Sequence, residues 1–206
     1  MSSLGERYEE HHRERRDGGD FVFVPERVPL LVAAVGRGKR VLDLGCRTGA
    51  LTRHFLEGNS VVGLDVDPAA LEKAAALGVE PVQADVEDQL PFEGASFDVV
   101  VAGELFEHLQ FPDALVAEIR RVLRPGGILA GSVPNAFRVQ SRLRFMRGRP
   151  PEDDPTHLRM FSPAAVRHLL AGFERVELRF VGGRYARLNA RLFARDLVFT
   201  ATKPSA

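Results

Sequence analysis

A glycine-containing turn between a strand and a helix start is the feature that most constrains how this chain can fold. It lies in residues 41–52, which read VLDLGCRTGALT. The apolar lead-in predicts a buried strand, and a first turn of this kind in a parallel sheet is a typical nucleotide-binding turn. Asp65 follows at about the interval where a second parallel strand ends and a ribose hydroxyl pair is held. Together, the two features favour an adenosine-containing ligand.

Strand and helix signals alternate along most of the chain. The alternation predicts an α/β fold, a doubly wound Rossmann-like sheet of seven mostly parallel strands with helices on both faces. The strands are predicted at residues 41–45, 60–66, 80–84, 97–102, 128–133, 176–181 and 196–202, and the helices at 27–35, 50–56, 68–76, 112–123, 136–149 and 163–170.

Composition favours one domain over residues 1–206. A chain of this length with 45% apolar residues can bury one sizeable core without a metal or a disulfide. We expect a polar arm at 1–24, a cofactor-binding core at 41–135, a substrate-side lid and loop at 136–173, and closing strands at 174–206. In the arm, His11 and His12 lack nearby partner ligands, and solvation is preferred to metal binding.

Cysteine usage and the beginning of the chain bear on localisation. The single cysteine, Cys46, lies in the glycine turn, which indicates a reducing compartment and no disulfide, and a catalytic thiol is not expected there. The early residues are charged, and no apolar run is long enough to span a bilayer. We therefore expect a cytoplasmic protein without a transmembrane segment; the sequence does not give the oligomeric state.

The net charge of the chain is zero, but acidic and basic residues are unevenly distributed along it. Between Asp65 and Glu118 the only Lys or Arg is Lys73, whereas residues 138–195 are dominated by arginine. An acidic wall suits a cationic cofactor, and an arginine-rich wall suits an anionic small molecule or a nucleic acid. Solvated helix faces explain the same pattern equally well.

Four motifs, in this order and spacing, resemble those of the class I S-adenosylmethionine-dependent methyltransferases. They are VLDLGCRTGALT, GLDVD, QADVEDQLPFEGASFDVVVAGELFEHL and RRVLRPGGILAGSVPN, which together cover residues 41–135. The resemblance is to the small-molecule type, including the quinone-biosynthesis O-methyltransferases. It implies S-adenosylmethionine as the cofactor and S-adenosylhomocysteine as the product.

The resemblance also implies roles for individual residues. Asp43 receives the amino group of the cofactor, Asp65 the two ribose hydroxyls, and Asp85 the adenine amino group. One departure is Arg47, where relatives usually have glycine; its side chain either crowds the cofactor, points away, or pairs with the ligand carboxylate. The remaining cofactor-binding residues are the turn residues Gly45, Cys46 and Gly49, then Val66 and Val86 beside the adenine, and Ala102, just past the fourth strand, on the methionine side.

Two histidines are candidates for removing a proton from a hydroxyl acceptor, His108 and His157, each with a structural role as the alternative. On a helix, Glu104, Glu107 and His108 would share one face and could hold a divalent cation. The set resembles the metal site of ubiquinone-biosynthesis and small-RNA 2′-O-methyltransferases, the latter completed by a later histidine such as His157. Because Glu-His-Leu recurs in metal-free members, the metal-free interpretation is preferred.

Residues 136–149 predict a basic amphipathic helix over the mouth of the site. Arg138 and Arg142 share one face, and Val139, Leu143 and Met146 share another. Such a helix could meet a lipid surface or a polyanion, but a lid packed by its apolar stripe is the more usual arrangement.

Three functions from different classes remain open on the sequence alone. The leading one is a methyltransferase acting on a small molecule, at a hydroxyl oxygen. The second is an RNA methyltransferase with a Glu/Glu/His metal site, which the lack of a stacking platform and of a separate nucleic-acid module disfavours. The third is a non-catalytic S-adenosylmethionine-binding partner protein, and a nicotinamide-dependent dehydrogenase is disfavoured because Arg47 replaces a glycine.

Overall fold

The computed structural model describes residues 25–151 and 154–205, which form a twisted seven-stranded sheet. The strand order is β3-β2-β1-β4-β5-β7-β6, and only β7 runs antiparallel to its neighbours. This confirms the predicted doubly wound, mostly parallel sheet. The strands are β1 (Arg40–Leu44), β2 (Ser60–Asp65), β3 (Glu80–Gln83), β4 (Phe97–Gly103), β5 (Leu123–Pro134), β6 (Glu174–Val181) and β7 (Asp196–Thr202).

Six helices accompany the sheet in the described residues, and four of them begin with a proline at the first or second position, where its missing N–H costs nothing. None of them has the length and apolar character that crossing a bilayer requires. The helices are α1 (Val28–Val35), α2 (Pro68–Ala76), α3 (Pro112–Val122), α4 (Val139–Met146), α5 (Pro163–Leu169) and α6 (Ala190–Phe193).

The order reverses between β1 and β4, which both pair along the centre of the sheet. Apolar residues of these strands are fully buried on both faces, as expected of central parallel strands. The largest cluster joins β1, β2, β4 and β5 to α3 and α5, and it fixes the carboxyl ends of the strands as a rigid edge. Ligands bind at such a reversal point in open α/β sheets.

Two predicted elements differ from the structure. Residues 50–56 do not form an α-helix; a single 3₁₀ turn, Thr52–His54, stands there instead, and the amide of Asn59 donates to the carbonyl oxygen of Phe55 directly after it. Leu123 was expected to end α3 but begins β5, opposite Phe97. The predicted arm at 1–24, including His11 and His12, lies outside the described residues.

Helix α4 forms within the predicted segment 136–149, but most of its apolar stripe is not packed against the protein. The interpretation as a lid packed by its apolar stripe is wrong, because Leu143 and Met146 are exposed. The residue that α4 buries is Ser141, which is 1% exposed. A polar side chain thus faces the protein, whereas Leu143 and Met146 of the apolar stripe face away from it and Val139 is half-buried.

Gly131 of β5 is the glycine in the described strands where an added side chain would come closest to neighbouring atoms. A Cβ there would overlap the carbonyl oxygen of Ala102 and the ring of Phe199. We expect Gly131→Ala to lower the free energy of unfolding in urea by at least about 2 kcal/mol. Gly94→Ala is the control, because its Cβ would lie 3.4 Å from the nearest atom, on the exposed loop before β4. Equal stability of the two variants would contradict this packing.

Candidate active site

The turn after β1 is tied to the end of β2. The backbone N–H groups of Gly45 and Cys46 both donate to the carbonyl oxygen of Leu64, at 2.8 Å and 3.2 Å. Gly45 and Gly49 have φ angles of 69° and 78°, in the left-handed region that glycine adopts without strain. The turn therefore presents bare backbone at the reversal point of the sheet.

Asp43 lies beneath this turn, and its side chain is almost wholly buried. The hydroxyl of Thr52 donates to its carboxylate at 2.6 Å. Burial raises the pKa of Asp43 to about 7; the hydrogen bond from Thr52 opposes this shift, and the negative charge of Asp65 adds to it. A cationic partner at this carboxylate would be stabilised strongly, since burial leaves little water to screen it.

Asp65 ends β2 and joins two turns through its carboxylate. One oxygen accepts from the backbone N–H of Arg47 at 2.9 Å, and the other accepts from that of Asp67 at 3.0 Å. Burial raises the pKa of Asp65, and these two hydrogen bonds oppose the shift. Each oxygen has a further lone pair, so the carboxylate can still accept from two hydroxyl groups.

Arg47 has a φ of 49°, so this non-glycine residue occupies the left-handed region. The usual glycine at this position is thereby explained, because a side chain there costs about 1 kcal/mol. The hydrogen bond to Asp65 holds the strained conformation in place. Where the Arg47 side chain lies relative to a bound cofactor stays a prediction.

The other predicted cofactor residues occupy the same edge of the sheet. Cys46 is buried among Leu71, Ala74 and Val79, and burial raises the pKa of its thiol, as expected of a structural cysteine. The half-buried residues Val66, Asp85 and Val86 follow β2 and β3. One oxygen of Asp85 accepts from the backbone N–H of Glu87.

Ala102, the last residue of the predicted fourth strand, lies within β4, which ends one residue later. It pairs in register with Leu44 and is 0% exposed in the core. The residue that ends the strand is Gly103, whose added Cβ would lie 2.9 Å from a methyl group of Leu51. Any contribution of Ala102 to a ligand therefore comes through its backbone, since its side chain packs in the core.

Glu104 does not share a helical face with Glu107 and His108, because the 3₁₀ turn begins only at Phe106, so the helical arrangement that the three-residue cation site requires does not form. Its φ of 53° turns the chain away after β4. Its carboxylate accepts from the hydroxyl of Ser132 at 2.8 Å and lies 3.1 Å from the guanidinium of Arg27. The same guanidinium pairs with Asp196 at 3.1 Å. Glu104 thus belongs to a buried ion-pair network.

His108 and His157, by contrast, are brought together. Their ring centroids are 4.8 Å apart, and Nε2 of His108 lies 3.9 Å from a carboxylate oxygen of Glu107. One ligand atom from each of the three residues falls within 4.8 Å of the others. The Nδ1 of His108 lies 3.2 Å from the carbonyl oxygen of Thr156, which can only accept. Nδ1 therefore carries a proton in this contact, and in the neutral form of the ring the lone pair is on Nε2.

Backbone hydrogen bonds hold the loop that carries His157. The carbonyl oxygen of Glu107 accepts from the N–H groups of Leu158 and Arg159. At the start of the loop, the carboxylate of Asp154 accepts from both the backbone and the hydroxyl of Thr156. The distance between the two histidines is therefore set by main-chain contacts as well as by the rings.

The His108 turn lies directly beside the glycine turn. A Cβ at Gly45 would be 3.3 Å from a methyl group of Leu105, which immediately precedes the 3₁₀ turn Phe106–His108. The edge of the sheet thus combines a bare backbone turn, two buried carboxylates and an imidazole pair.

Comparisons with known proteins show which family this sequence and fold resemble. A sequence profile described as a methyltransferase domain matches residues 42–131. A probable S-adenosylmethionine-dependent methyltransferase from Mycolicibacterium smegmatis is 35% identical over 75% of this chain, which spans 60% of that relative's length. The crystal structure of a SAM-dependent methyltransferase from Archaeoglobus fulgidus shares the fold, with a TM-score of 0.71 at 20% identity over 86% of this chain and 91% of that one.

Residues 42–131 of the chain therefore form a class I S-adenosylmethionine-dependent methyltransferase domain. A ubiquinone biosynthesis O-methyltransferase from Vibrio parahaemolyticus is a further relative, 28% identical over 74% of this chain and 70% of its own length. S-adenosylmethionine is the cofactor of the family, and the donor set fits it: a carboxylate for an ammonium group, a carboxylate for a diol, and bare backbone between them.

Several residues of this methyltransferase site were not found by sequence reasoning. Thr52 was missed because its segment was predicted as a helix. Its position nine residues after Asp43, across a short turn, is the sequence signal that could have indicated the hydrogen bond. Arg27, Ser132 and Asp196 carried no local pattern, because their partners lie 28 to 169 positions away in the chain.

The raised pKa of Asp43 predicts how stability depends on pH. The unfolded chain loses the Asp43 proton near its ordinary pKa of 3.8, and the folded chain loses it near 7. The free energy of unfolding therefore falls as pH rises through this window. We expect Asp43→Asn to be more stable than the wild type at pH 8 by about 2–4 kcal/mol, and the difference to shrink towards pH 4.

Urea unfolding at several pH values measures this difference, and contributions from other groups cancel in it. Asp113→Asn, which removes an exposed carboxylate in the first turn of α3, is the control and should not show the gain of about 2–4 kcal/mol at pH 8. A variant whose stability relative to the wild type did not change with pH would show that Asp43 ionises normally.

Proposed function

We propose that this methyltransferase transfers a methyl group from S-adenosylmethionine to a hydroxyl oxygen of a small molecule. The observation that carries the proposal is the contact between the glycine turn and the His108 turn, made through Gly45 and Leu105. Because Leu105 immediately precedes the turn that carries His108, this contact supports an acceptor site next to the glycine turn. The Vibrio relative, named as an O-methyltransferase, supports oxygen as the acceptor atom.

The cofactor is held by the buried carboxylates on each side of the glycine turn. Asp43 accepts from the ammonium group, and the partner charge draws its pKa down from about 7. Asp65 accepts from both ribose hydroxyls with the lone pairs that Arg47 and Asp67 leave. The remaining residues line the methionine and adenine parts, with their roles inferred from family resemblance: Gly45, Cys46, Gly49, Val66, Asp85, Val86 and Ala102.

The sulfonium supplies an activated methyl group and a good leaving group. The acceptor oxygen attacks in line, so that one C–O bond forms, the S–CH₃ bond breaks and S-adenosylhomocysteine leaves. The proton of the hydroxyl passes to Nε2 of His108, whose lone pair is set by the Nδ1 contact with Thr156. His157 lies against this ring and orients the acceptor beside it.

A divalent cation at Glu107, His108 and His157 is the second candidate for the acceptor side. Their ligand atoms lie within 4.8 Å of one another, and one carboxylate with two imidazoles suits a transition metal. Such an ion would acidify a bound hydroxyl. The RNA methyltransferase alternative is weakened, because the second carboxylate of its metal site, Glu104, pairs with Arg27.

The cofactor assignment is tested by calorimetric titration with S-adenosylmethionine and S-adenosylhomocysteine. We expect saturable binding of both, and a loss of about 10- to 100-fold in affinity for Asp65→Asn, which removes charge-assisted hydrogen bonds to the ribose. Asp113→Asn should bind like the wild type. If neither sulfur ligand binds the wild type, the proposal fails at its first step.

The role of the histidines is tested with catechol and 3,4-dihydroxybenzoate as probe acceptors. We expect His108→Gln to lower the rate of S-adenosylhomocysteine formation by about 100-fold or more, with unchanged cofactor affinity. His168→Gln, at an exposed histidine of α5, is the control.

The same assay with added EDTA distinguishes the two proposed mechanisms, His108 as the base and a divalent cation at Glu107, His108 and His157. With His108 as the base, EDTA leaves the rate unchanged and calorimetry detects no saturable Mn²⁺ or Zn²⁺ binding. With a metal, EDTA abolishes the rate, one of these ions restores it, and Glu107→Gln loses ion binding. No turnover of either probe by the wild type, with or without added metal, would count against an aromatic hydroxyl as the acceptor.

A further inference from the structure

Two segments of the chain form one continuous surface. Residues 136–149 include α4, residues 182–195 include α6, and the two helices pack against each other. The amide of Asn135 donates to the carbonyl oxygens of Arg191 and Ala194, which joins the segments at their base. We call residues 136–149 and 182–195 the arginine surface.

The arginine surface carries only one sign of charge. It contains nine arginines and no Asp or Glu. Exposed guanidinium groups stand on both segments, including those of Arg142, Arg147, Arg187 and Arg191. Such a field attracts a polyanion or an anionic surface over several ångströms.

Large apolar side chains stand among these arginines. Met146 is 72% exposed, Phe145 is 71% exposed and Leu188 is 79% exposed. Leu143, Phe137 and Tyr185 add further exposed apolar area on the same two segments. Part of this apolar patch lies on a regular helix. Helix α4 turns Ser141 towards the protein and Leu143 and Met146 towards solvent.

We propose that the arginine surface docks this protein onto an anionic lipid bilayer, with α4 lying in the headgroup region. A bilayer offers acidic headgroups to the arginines and hydrocarbon to Phe145, Met146 and Leu188. Ion pairing and apolar burial therefore both contribute to the binding free energy. The inference concerns binding alone and holds whether or not the proposed methyl transfer does.

Two other occupants fit less well. An RNA would pair with the arginines, but aliphatic side chains such as Leu188 and Met146 gain nothing from stacking bases, and Tyr185 already packs edge-on against Phe193 with ring centroids 5.9 Å apart. A second copy of the chain would set this surface against itself and bring arginine against arginine. The bilayer is the occupant that both the charge and the apolar area favour.

Co-sedimentation with 100 nm vesicles tests the proposal on the 206-residue chain, with neither cofactor nor acceptor. We expect binding to phosphatidylcholine vesicles that contain phosphatidylglycerol, and binding at least about tenfold weaker to phosphatidylcholine alone. Phe145→Ser/Leu188→Ser keeps every charge and should lose at least about tenfold in affinity. Phe111→Ser, an exposed phenylalanine outside the arginine surface, is the control and should bind like the wild type.

A charge variant gives the second arm. Arg147→Gln/Arg187→Gln should lose about fivefold per arginine on vesicles with phosphatidylglycerol, and Arg120→Gln on α3 should lose nothing. All substituted side chains are exposed, so thermal unfolding midpoints should stay unchanged, which separates lost binding from lost folding.

Three outcomes would overturn the proposal. They are no sedimentation with either vesicle, equal vesicle binding by the wild type and the apolar variant, and tighter binding to a 20-nucleotide RNA than to vesicles. A concentration-dependent dimer that the apolar variant abolishes would assign the surface to a second copy instead.

Discussion

The site depends on the Asp65 carboxylate, which joins the ends of two parallel strands. By accepting from the backbone of Arg47, it holds the turn after β1 in a left-handed conformation that costs a non-glycine residue energy. By accepting from Asp67, it sets the start of α2, where the Asp67 side chain caps the helix in turn. One buried acid therefore shapes both the turn beneath the ligand and the wall beside it.

Buried acids recur around this edge, and each is compensated differently. Asp43 has a hydroxyl donor, Asp65 has two backbone donors, and Asp196 has the guanidinium of Arg27. The pKa of Asp196 rises to about 7 because of burial and of the nearby charge of Glu104, against the attraction of Arg27. Burying ionised carboxylates at this edge costs free energy when no cation is near. A sulfonium or an ammonium group bound there would lower that cost.

Local pattern was sufficient for much of the fold. Alternating apolar strands and proline-started helices predicted the positions of all seven strands, because periodicity and capping act over a few residues. It failed where contacts between distant residues decide the outcome. Glu104 follows a strand as a helix start would, yet Arg27 and Ser132 fix it elsewhere. The stripe on α4 was recognised, but its direction depends on which face Ser141 takes, and spacing does not specify that.

Cys46 is the only thiol of the chain and lies inside the glycine turn. Its sulfur is packed against α2, and burial raises the pKa of the thiol, so a reagent in water reaches it only when the turn and helix separate. The rate of its chemical labelling thus measures how often this part of the protein opens. Cys46 is therefore a native probe of local opening at the ligand-binding edge, and its use requires neither a mutation nor an attached dye.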